Sequence, residues 1–261
     1  MSLQIEYKIK NADSPFWSFA IHDGHLISED LKPYIALTDK QRLREEDPYT
    51  ALIGDLPVNQ FIVETSRFQV DLNREVENSV YLNPEQAWGL KVFLPNFPSN
   101  YLLELYRHHQ SLYYTIERHI ATTIKKFGFF VILDIHSYNA KRESADEIIN
   151  TDLNPQINLG TLYNNEKWRD FIDDFSTTLK SLKLNNKDID VRENIKFKGG
   201  NLAKHILKQL GELGCVISIE FRKDFMNEWT GEVYHDKLSE YNQILKETVE
   251  SLRPYLLKIQ V

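Results

Sequence analysis

Four side chains with the chemistry of a hydrolytic metal centre stand beside apolar runs of this chain. His22 and His25 follow Phe16 to Ile21. His136 follows Phe129-Phe130-Val131-Ile132-Leu133, and Glu220 closes Val216-Ile217-Ser218-Ile219. Imidazole and carboxylate groups bind a divalent cation, and a catalytic zinc takes three such ligands while leaving one position open for water. His22 and His136 fit two of the three places. The third is open between His25 and an acid of Glu45-Glu46-Asp47. Asp134, two residues before His136, is placed to pair with that histidine or with a neighbouring strand. Glu220, at the end of an apolar run, is partly desolvated, which raises its pKa toward that of a general base; it is equally placed to pair with Arg222 on the same strand face. His108, His109, His119, His205 and His235 lie in or at the edges of predicted helices and read as ordinary hydrogen-bonded residues.

A second group lies in Ser66-Arg67-Phe68-Gln69-Val70-Asp71-Leu72-Asn73-Arg74. Phe68, Val70 and Leu72 alternate with polar residues at the period of a strand. Two arginines, an acid and an amide in so short a stretch suit recognition of an anion by forked guanidinium contacts. Local Arg–Asp pairing on a solvated face explains the same pattern. Gly199-Gly200 allows a tight turn or close backbone approach, or is simply a loop before a helix; no phosphate-loop pattern is present.

These residues need elements to hold them. Phe16 to Ile21 reads as a strand, Asp39 to Glu46 as a short helix stopped by Pro48, and Phe61 to Asp71 as a strand with a possible break. Leu102, Leu105, Leu112, Ile116, Ile120 and Ile124 recur at helical spacing, so Tyr101 to Lys126 reads as one long helix closed by Gly128. The run from Phe129 to Leu133 is a strand covered on both faces. Helices are predicted over about 166–183 and 201–212, a second buried strand over Cys215 to Phe221, and a last helix over Ser239 to Leu257. Long helices interleaved with buried strands indicate an α/β fold with a mixed, largely parallel central sheet flanked by helices. In such sheets chemistry gathers at strand ends.

Composition narrows the function. The 261 residues carry a net charge of −7, which disfavours a nucleic-acid or anionic-membrane partner. The single cysteine, Cys215, excludes an internal disulfide and a thiolate-rich metal site; inside Cys215-Val216-Ile217 it reads as a small buried hydrophobe. No secretory leader and no membrane-spanning run are visible, so a cytoplasmic location is expected. No repeat, low-complexity tract or linker divides the chain, and a single catalytic domain over 1–261 is expected.

Seven segments, in order, resemble the N-formylglutamate amidohydrolase family. They are Ile21-His22-Asp23-Gly24-His25, Arg44 to Thr50, Ser66 to Arg74, Asp134-Ile135-His136-Ser137-Tyr138-Asn139, Asn158-Leu159-Gly160-Thr161, Lys198-Gly199-Gly200 and Ile219-Glu220-Phe221. The family is similar to zinc carboxypeptidases and aspartoacylases, which implies a zinc-carboxypeptidase-like fold. The resemblance implies zinc as cofactor, held by His22 and His136. The acid that follows the first histidine by three places in the wider superfamily is His25 here, and Asp47 is preferred over His25 and Glu46 as third ligand. The resemblance further implies that Arg67 polarises the scissile carbonyl, that Asn73 and Arg74 grip the substrate carboxylate, and that Glu220 is the general base. The implied partner is a small N-acyl, in particular N-formyl, amino acid. Ile-His-Asp-Gly-His replaces the family's usual Pro-His-Ser-Gly, and Asp224 to Gly231 marks a distinct subgroup, so reaction class carries over better than substrate identity. The other readings are a carboxypeptidase-like peptide hydrolase and a non-catalytic carboxylate-binding protein.

Overall fold

The computed structural model describes residues 3–259, with side chains described through 252. Among the described residues nine strands form: β1 (Tyr7–Lys10), β2 (Phe16–Ala20), β3 (Asn59–Val63), β4 (Phe130–Tyr138), β5 (Ile157–Gly160), β6 (Lys183–Leu184), β7 (Lys187–Asp188), β8 (Val191–Glu193) and β9 (Gly214–Arg222). Six α-helices accompany them: α1 (Asp39–Glu45), α2 (Thr50–Ile53), α3 (Ser99–Phe127), α4 (Arg169–Ser181), α5 (Asn201–Leu210) and α6 (His235–Ile259). Seven strands make one sheet in the order β1-β3-β2-β4-β9-β5-β8, while β6 and β7 pair as a separate hairpin. Pairs β3/β2, β2/β4, β4/β9 and β5/β8 are parallel; β1/β3 and β9/β5 are antiparallel. The fold is thus the mixed, largely parallel α/β class expected.

The centre of the sheet is apolar on both faces because helices cover both. Val131, Leu133 and Ile135 of β4 and Cys215, Ile217 and Ile219 of β9 pack in one cluster with Phe171 and Phe175 of α4 and Tyr241 and Leu245 of α6. Phe130, Ile132 and Val216 face the other way, against Ile116 and Ile120 of α3 and Leu202 and Ile206 of α5. The side chains of a strand alternate between faces. Asp134, His136, Ser218 and Glu220 therefore fall on the α3/α5 side, at the carboxyl ends of β4 and β9. Those two strands pair without interruption from Phe130↔Gly214 to Tyr138↔Arg222, which sets His136 directly beside Glu220. Cys215 is fully buried and its thiol is pushed above its ordinary range by burial, as suits a packing residue.

The expected strand over Phe61 to Asp71 is corrected. β3 stops at Val63, and Ser66 to Arg74 is a run of turns. Phe68 fills a third apolar cluster with Tyr81 and Phe93, whereas Val70 and Leu72 join the α3/α5 cluster. The polar residues between them are no solvated face: Gln69 and Asp71 are fully buried. The backbone pairs locally, Gln69 N–H to Ser66 O at 3.0 Å and Asp71 N–H to Ser79 O at 2.7 Å, instead of in a ladder. Alternation here records burial in two directions, which mimics a strand. Elsewhere the boundaries shift by a few residues: β4 runs on through Asp134-Ile135-His136-Ser137, and α6 begins at His235. Among the described residues no helix is long and apolar enough to cross a membrane.

Candidate metal centre and catalytic cleft

Three segments converge at the carboxyl edge of the sheet. His22 lies two residues past β2, His136 lies within β4, and Asp47 sits in the turn between α1 and α2. All three are buried, and one ligand atom of each lies within 4.8 Å of the others. His22 Nδ1 is 3.3 Å and His136 Nδ1 is 3.0 Å from Asp47 Oδ2. The far nitrogens meet two further buried acids: His22 Nε2 lies 2.8 Å from Asp71 Oδ1, and His136 Nε2 lies 3.0 Å from Asp134 Oδ2. Both imidazoles turn Nδ1 toward a shared carboxylate; His22 Nε2 is hydrogen-bonded to a second carboxylate, the support that orients metal-binding histidines, and His136 Nε2 lies at ion-pair distance from Asp134 without a hydrogen bond. The donor set of two nitrogens and one oxygen suits zinc and several other divalent ions.

Asp47 is held from three directions. Its N–H donates to His22 O at 3.0 Å, and its carbonyl accepts from Thr50 Oγ1 at 2.7 Å. Lys223, buried just past β9, donates to Arg44 O at 2.6 Å and Glu46 O at 2.7 Å, so its ammonium ties down the end of α1. Burial lowers the Lys223 pKa to about 8. Burial works to raise the Asp47 carboxyl, but hydrogen bonds from His136 and His22 and the charges of His22 and Arg67 outweigh it and hold the group far below the ordinary carboxylate range. His136 shows the converse: burial disfavours its charge, yet Asp134 and Asp47 keep its pKa well above the ordinary imidazole value.

Neither His25 nor Glu46 joins this group. His25 is 39% exposed, with Nδ1 2.5 Å from Glu46 Oε2 and Nε2 3.2 Å from Arg42 Nη2, and it lines a separate cleft. Glu46 is spent on His25, Arg42 and Ser66. Asp23, between the two histidines, accepts from Ala51 N–H at 2.9 Å and so ties the loop to α2; burial raises its pKa to about 6. Gly24 is required sterically. A Cβ there would lie 2.2 Å from the Glu64 carbonyl carbon and 2.7 Å from Thr65 N, backbone atoms just past β3 that hydrogen bonds to Glu6 and Leu26 hold in place. Gly24→Ala is expected to cost about 1–3 kcal/mol of stability, as overpacking does, and to weaken metal binding because His22 is carried by the same loop. Urea unfolding and metal titration of the variant measure both.

The His22–Asp47–His136 group opens into a cleft of about 380 Å³ lined by, among others, Arg67, Asn73, Arg74, Trp88, Arg142, Lys196, Gly199, Gly200 and Glu220. Arg67 forks onto Asp71 through Nε at 3.2 Å and Nη2 at 2.7 Å, and its Nη1 is 3.9 Å from Asp47 Oδ1. Asp71 also accepts from Tyr81 Oη and from Asn73 N–H, the latter at 2.7 Å. Asp71 therefore backs both a histidine and the cleft arginine, a role hidden by the strand-like pattern around it. Asn73 Oδ1 accepts from Leu202 N–H at 3.1 Å, joining this segment to the first turn of α5, and Arg74 is exposed. Glu220 faces the cleft beside His136. Burial raises its pKa to about 8 against the lowering effect of His136, with Asp47 and Asp134 adding to the rise.

In the metal-free protein this carboxyl keeps its proton when the unfolded chain has lost it. Its contribution to stability is present in full below the ordinary value of 4.5, declines as pH rises, and is gone above about 8. Glu220→Gln removes that decline. The variant's melting temperature, relative to wild type without metal, is expected to be higher at pH 8 than at pH 5, and calorimetry at the two pH values checks it.

The N-formylglutamate amidohydrolase family model matches residues 14–226. No curated protein matches the sequence. Among solved structures, an N-formylglutamate amidohydrolase from Ralstonia eutropha JMP134 aligns over 95% of this chain and 98% of its own, with a TM-score of 0.72 and 14% identity. The gene product Atu2144 from Agrobacterium tumefaciens aligns over 94% and 95%, with a TM-score of 0.63 and 15% identity. These structures share the fold, and the family match spans every residue of the metal group and the cleft described above: the chain belongs to the N-formylglutamate amidohydrolase family.

Proposed function

We propose that this protein is a metal-dependent amidohydrolase that releases the acyl group from a small N-acyl amino acid, with N-formylglutamate as the first candidate. The observation that carries the reading is the convergence of His22 Nδ1, His136 Nδ1 and Asp47 Oδ2, with Glu220 beside His136 in strand register. His22, Asp47 and His136 would hold the cation. Bound there, zinc supplies Lewis-acid chemistry, acidifying water and drawing electron density from a carbonyl.

The chain supplies the remaining functions. Glu220 accepts the proton of the attacking water and then delivers it to the departing nitrogen, so one carboxyl serves as base and acid in turn. Its raised pKa suits the second half of that cycle, and a cation held by the histidine–aspartate group would favour ionisation for the first half. Arg67, held rigidly by Asp71 and directed toward Asp47, faces negative charge that develops on the carbonyl oxygen, a pre-set contact that needs little reorganisation. Asn73 and Arg74, at the border of the cleft, hold the substrate carboxylate and align the amide for attack.

The experiment is to measure metal content by elemental analysis and hydrolysis of N-formyl-L-glutamate on the same sample. About one metal ion per chain together with release of formate supports the proposal. Metal without turnover directs the search to other N-acyl amino acids and short peptides. A chain that neither binds metal after reconstitution nor hydrolyses any member of that panel, yet binds carboxylates, is a binding protein, and the proposal is lost.

A further inference from the structure

The cleft holds cationic groups beyond those used above, and their backbone is fixed with unusual care. Arg142 leaves a turn after β4 that buried Glu228 pins by accepting from Ala140 N–H at 2.8 Å and Lys141 N–H at 2.9 Å. Arg44 donates to the carbonyls of Lys141 at 3.0 Å and Arg142 at 3.3 Å and stacks on Trp229, whose Nε1 donates to Lys141 O at 3.2 Å. The pinning residues Glu228 and Trp229 lie beyond the family match, which ends at 226. Arg142 then reaches the cleft with its guanidinium 2.6 Å from Glu45 Oε2 and 5.5 Å from the centre of the Trp88 ring.

Lys196 is presented from the loop after β8. Fully buried Asn158, the strand neighbour of Glu220, fixes that loop: its Oδ1 accepts from Ile195 N–H at 3.1 Å and Lys196 N–H at 2.9 Å, and its Nδ2 donates to Phe197 O at 2.7 Å. Lys196 Nζ lies over the Tyr138 ring and donates to a neutral amide, Asn154 Oδ1 at 2.5 Å, instead of to a carboxylate. Burial lowers its pKa, and the nearby positive charge of Arg142 lowers it further. Arg142 and Lys196 thus face one cleft, whose lining acids are Glu45, paired with Arg142, together with Asp47 and Glu220. Arg74 stands elsewhere on the wall: with Asn73, Gly199 and Gly200 it borders a neighbouring cleft that neither Arg142 nor Lys196 touches.

We propose that Arg142 and Lys196 form a second anion subsite, which binds a substrate carboxylate other than the one held by Asn73 and Arg74. The inference rests on the amidohydrolase reading for the word substrate, and it selects N-acyl amino acids that carry a second carboxylate besides the α-carboxylate. The second carboxylate belongs either to the amino-acid side chain or to the acyl group. Trp88, 43% exposed, lines the same cleft, with the Arg67 and Arg142 guanidinium groups 5.0 and 5.5 Å from its ring centre. A guanidinium and an ammonium give a carboxylate charge-assisted hydrogen bonds of more than ordinary strength.

The test compares kcat/KM of the metal-loaded protein within two matched pairs. N-formyl-L-glutamate against N-formyl-L-glutamine asks for the side-chain carboxylate; N-succinyl-L-alanine against N-butyryl-L-alanine asks for the acyl carboxylate. One pair should favour its dianionic member by about tenfold or more, and Arg142→Gln and Lys196→Gln should each erase about tenfold of that ratio. Arg142→Gln leaves the buried Glu45 carboxylate less compensated and can disturb folding, so Lys196→Gln, which breaks no ion pair, is the deciding variant. Equal rates within both pairs, or a preference that survives Lys196→Gln, overturns the subsite. If no acyl amino acid is turned over, the amidohydrolase reading fails separately, and calorimetry with glutarate and butyrate decides the subsite alone. Tighter glutarate binding that Lys196→Gln abolishes supports it; equal binding of the two acids removes it.

Discussion

His136→Ala is expected to empty the metal site and abolish hydrolysis, with metal content falling from about one ion per chain to about a tenth or less. The imidazole is one of only three protein donors in the group, and its removal also leaves Asp134 and Asp47 facing each other without the cation that separates them. Asp71→Asn provides the graded contrast. It keeps the shape and a hydrogen-bond acceptor for His22 Nε2 but removes the charge that orients the ring and anchors Arg67. Losses of support of this kind cost about 10–100-fold in metal affinity. Elemental analysis and competition with a chelator measure both. Full metal retention in His136→Ala would refute the assignment of the site.

Glu220→Gln is expected to lower kcat by about 10²–10⁴-fold, the usual share of a general base, while KM and metal content stay near wild type. The glutamine occupies the same volume beside His136 and cannot take a proton from water. The pair of readouts separates this role from that of a ligand: a ligand variant loses metal and activity together, and a base variant loses activity alone. Steady-state kinetics on the metal-loaded variant, with metal content measured on the same preparation, settles which has occurred. A variant that retained wild-type kcat would transfer the proton steps to another group.

The residues legible in the sequence are those whose surroundings are local. His136 and Glu220 follow apolar runs, and such runs become central parallel strands whose ends face a cleft, so their location could be anticipated. Asp134 could be read as support for His136 because residues two apart share a strand face. The long helix over Ser99–Phe127 was equally open, since its apolar residues keep helical spacing and Gly128 ends it. Less legible were residues whose partners are far away in the chain. Asp71 serves His22, 49 positions distant, and Lys223 serves Arg44 and Glu46, 179 and 177 positions distant. Asn158 pins a loop 37–39 positions on. Each is a polar residue whose task is to satisfy buried groups of another segment, and nothing in its immediate neighbours declares that task. The choice of Asp47 over Glu45, Glu46 and His25 had the same character. Adjacent residues of one turn point in different directions, and only the fold shows that Glu46 is consumed by His25 and Ser66 while Asp47 turns to the histidines.

The pairing of β4 with β9 works as an alignment gauge. It begins at Phe130↔Gly214, and six residues farther on, roughly 20 Å along the strands, it sets Glu220 beside His136. A slip of one residue would turn every β9 side chain to the opposite face, moving Glu220 away from the cleft and into the apolar layer of α4 and α6. The starting point is keyed: a Cβ at Gly214 would come within 2.4 Å of the Phe130 ring and carbonyl oxygen, so the strand begins where only a glycine fits. The juxtaposition of Glu220 and His136 at one edge of the sheet is thus indexed from the other edge, and substitutions at Gly214 or Phe130, which line neither the cleft nor the His22–Asp47–His136 group, bear on the proposed chemistry through strand position alone.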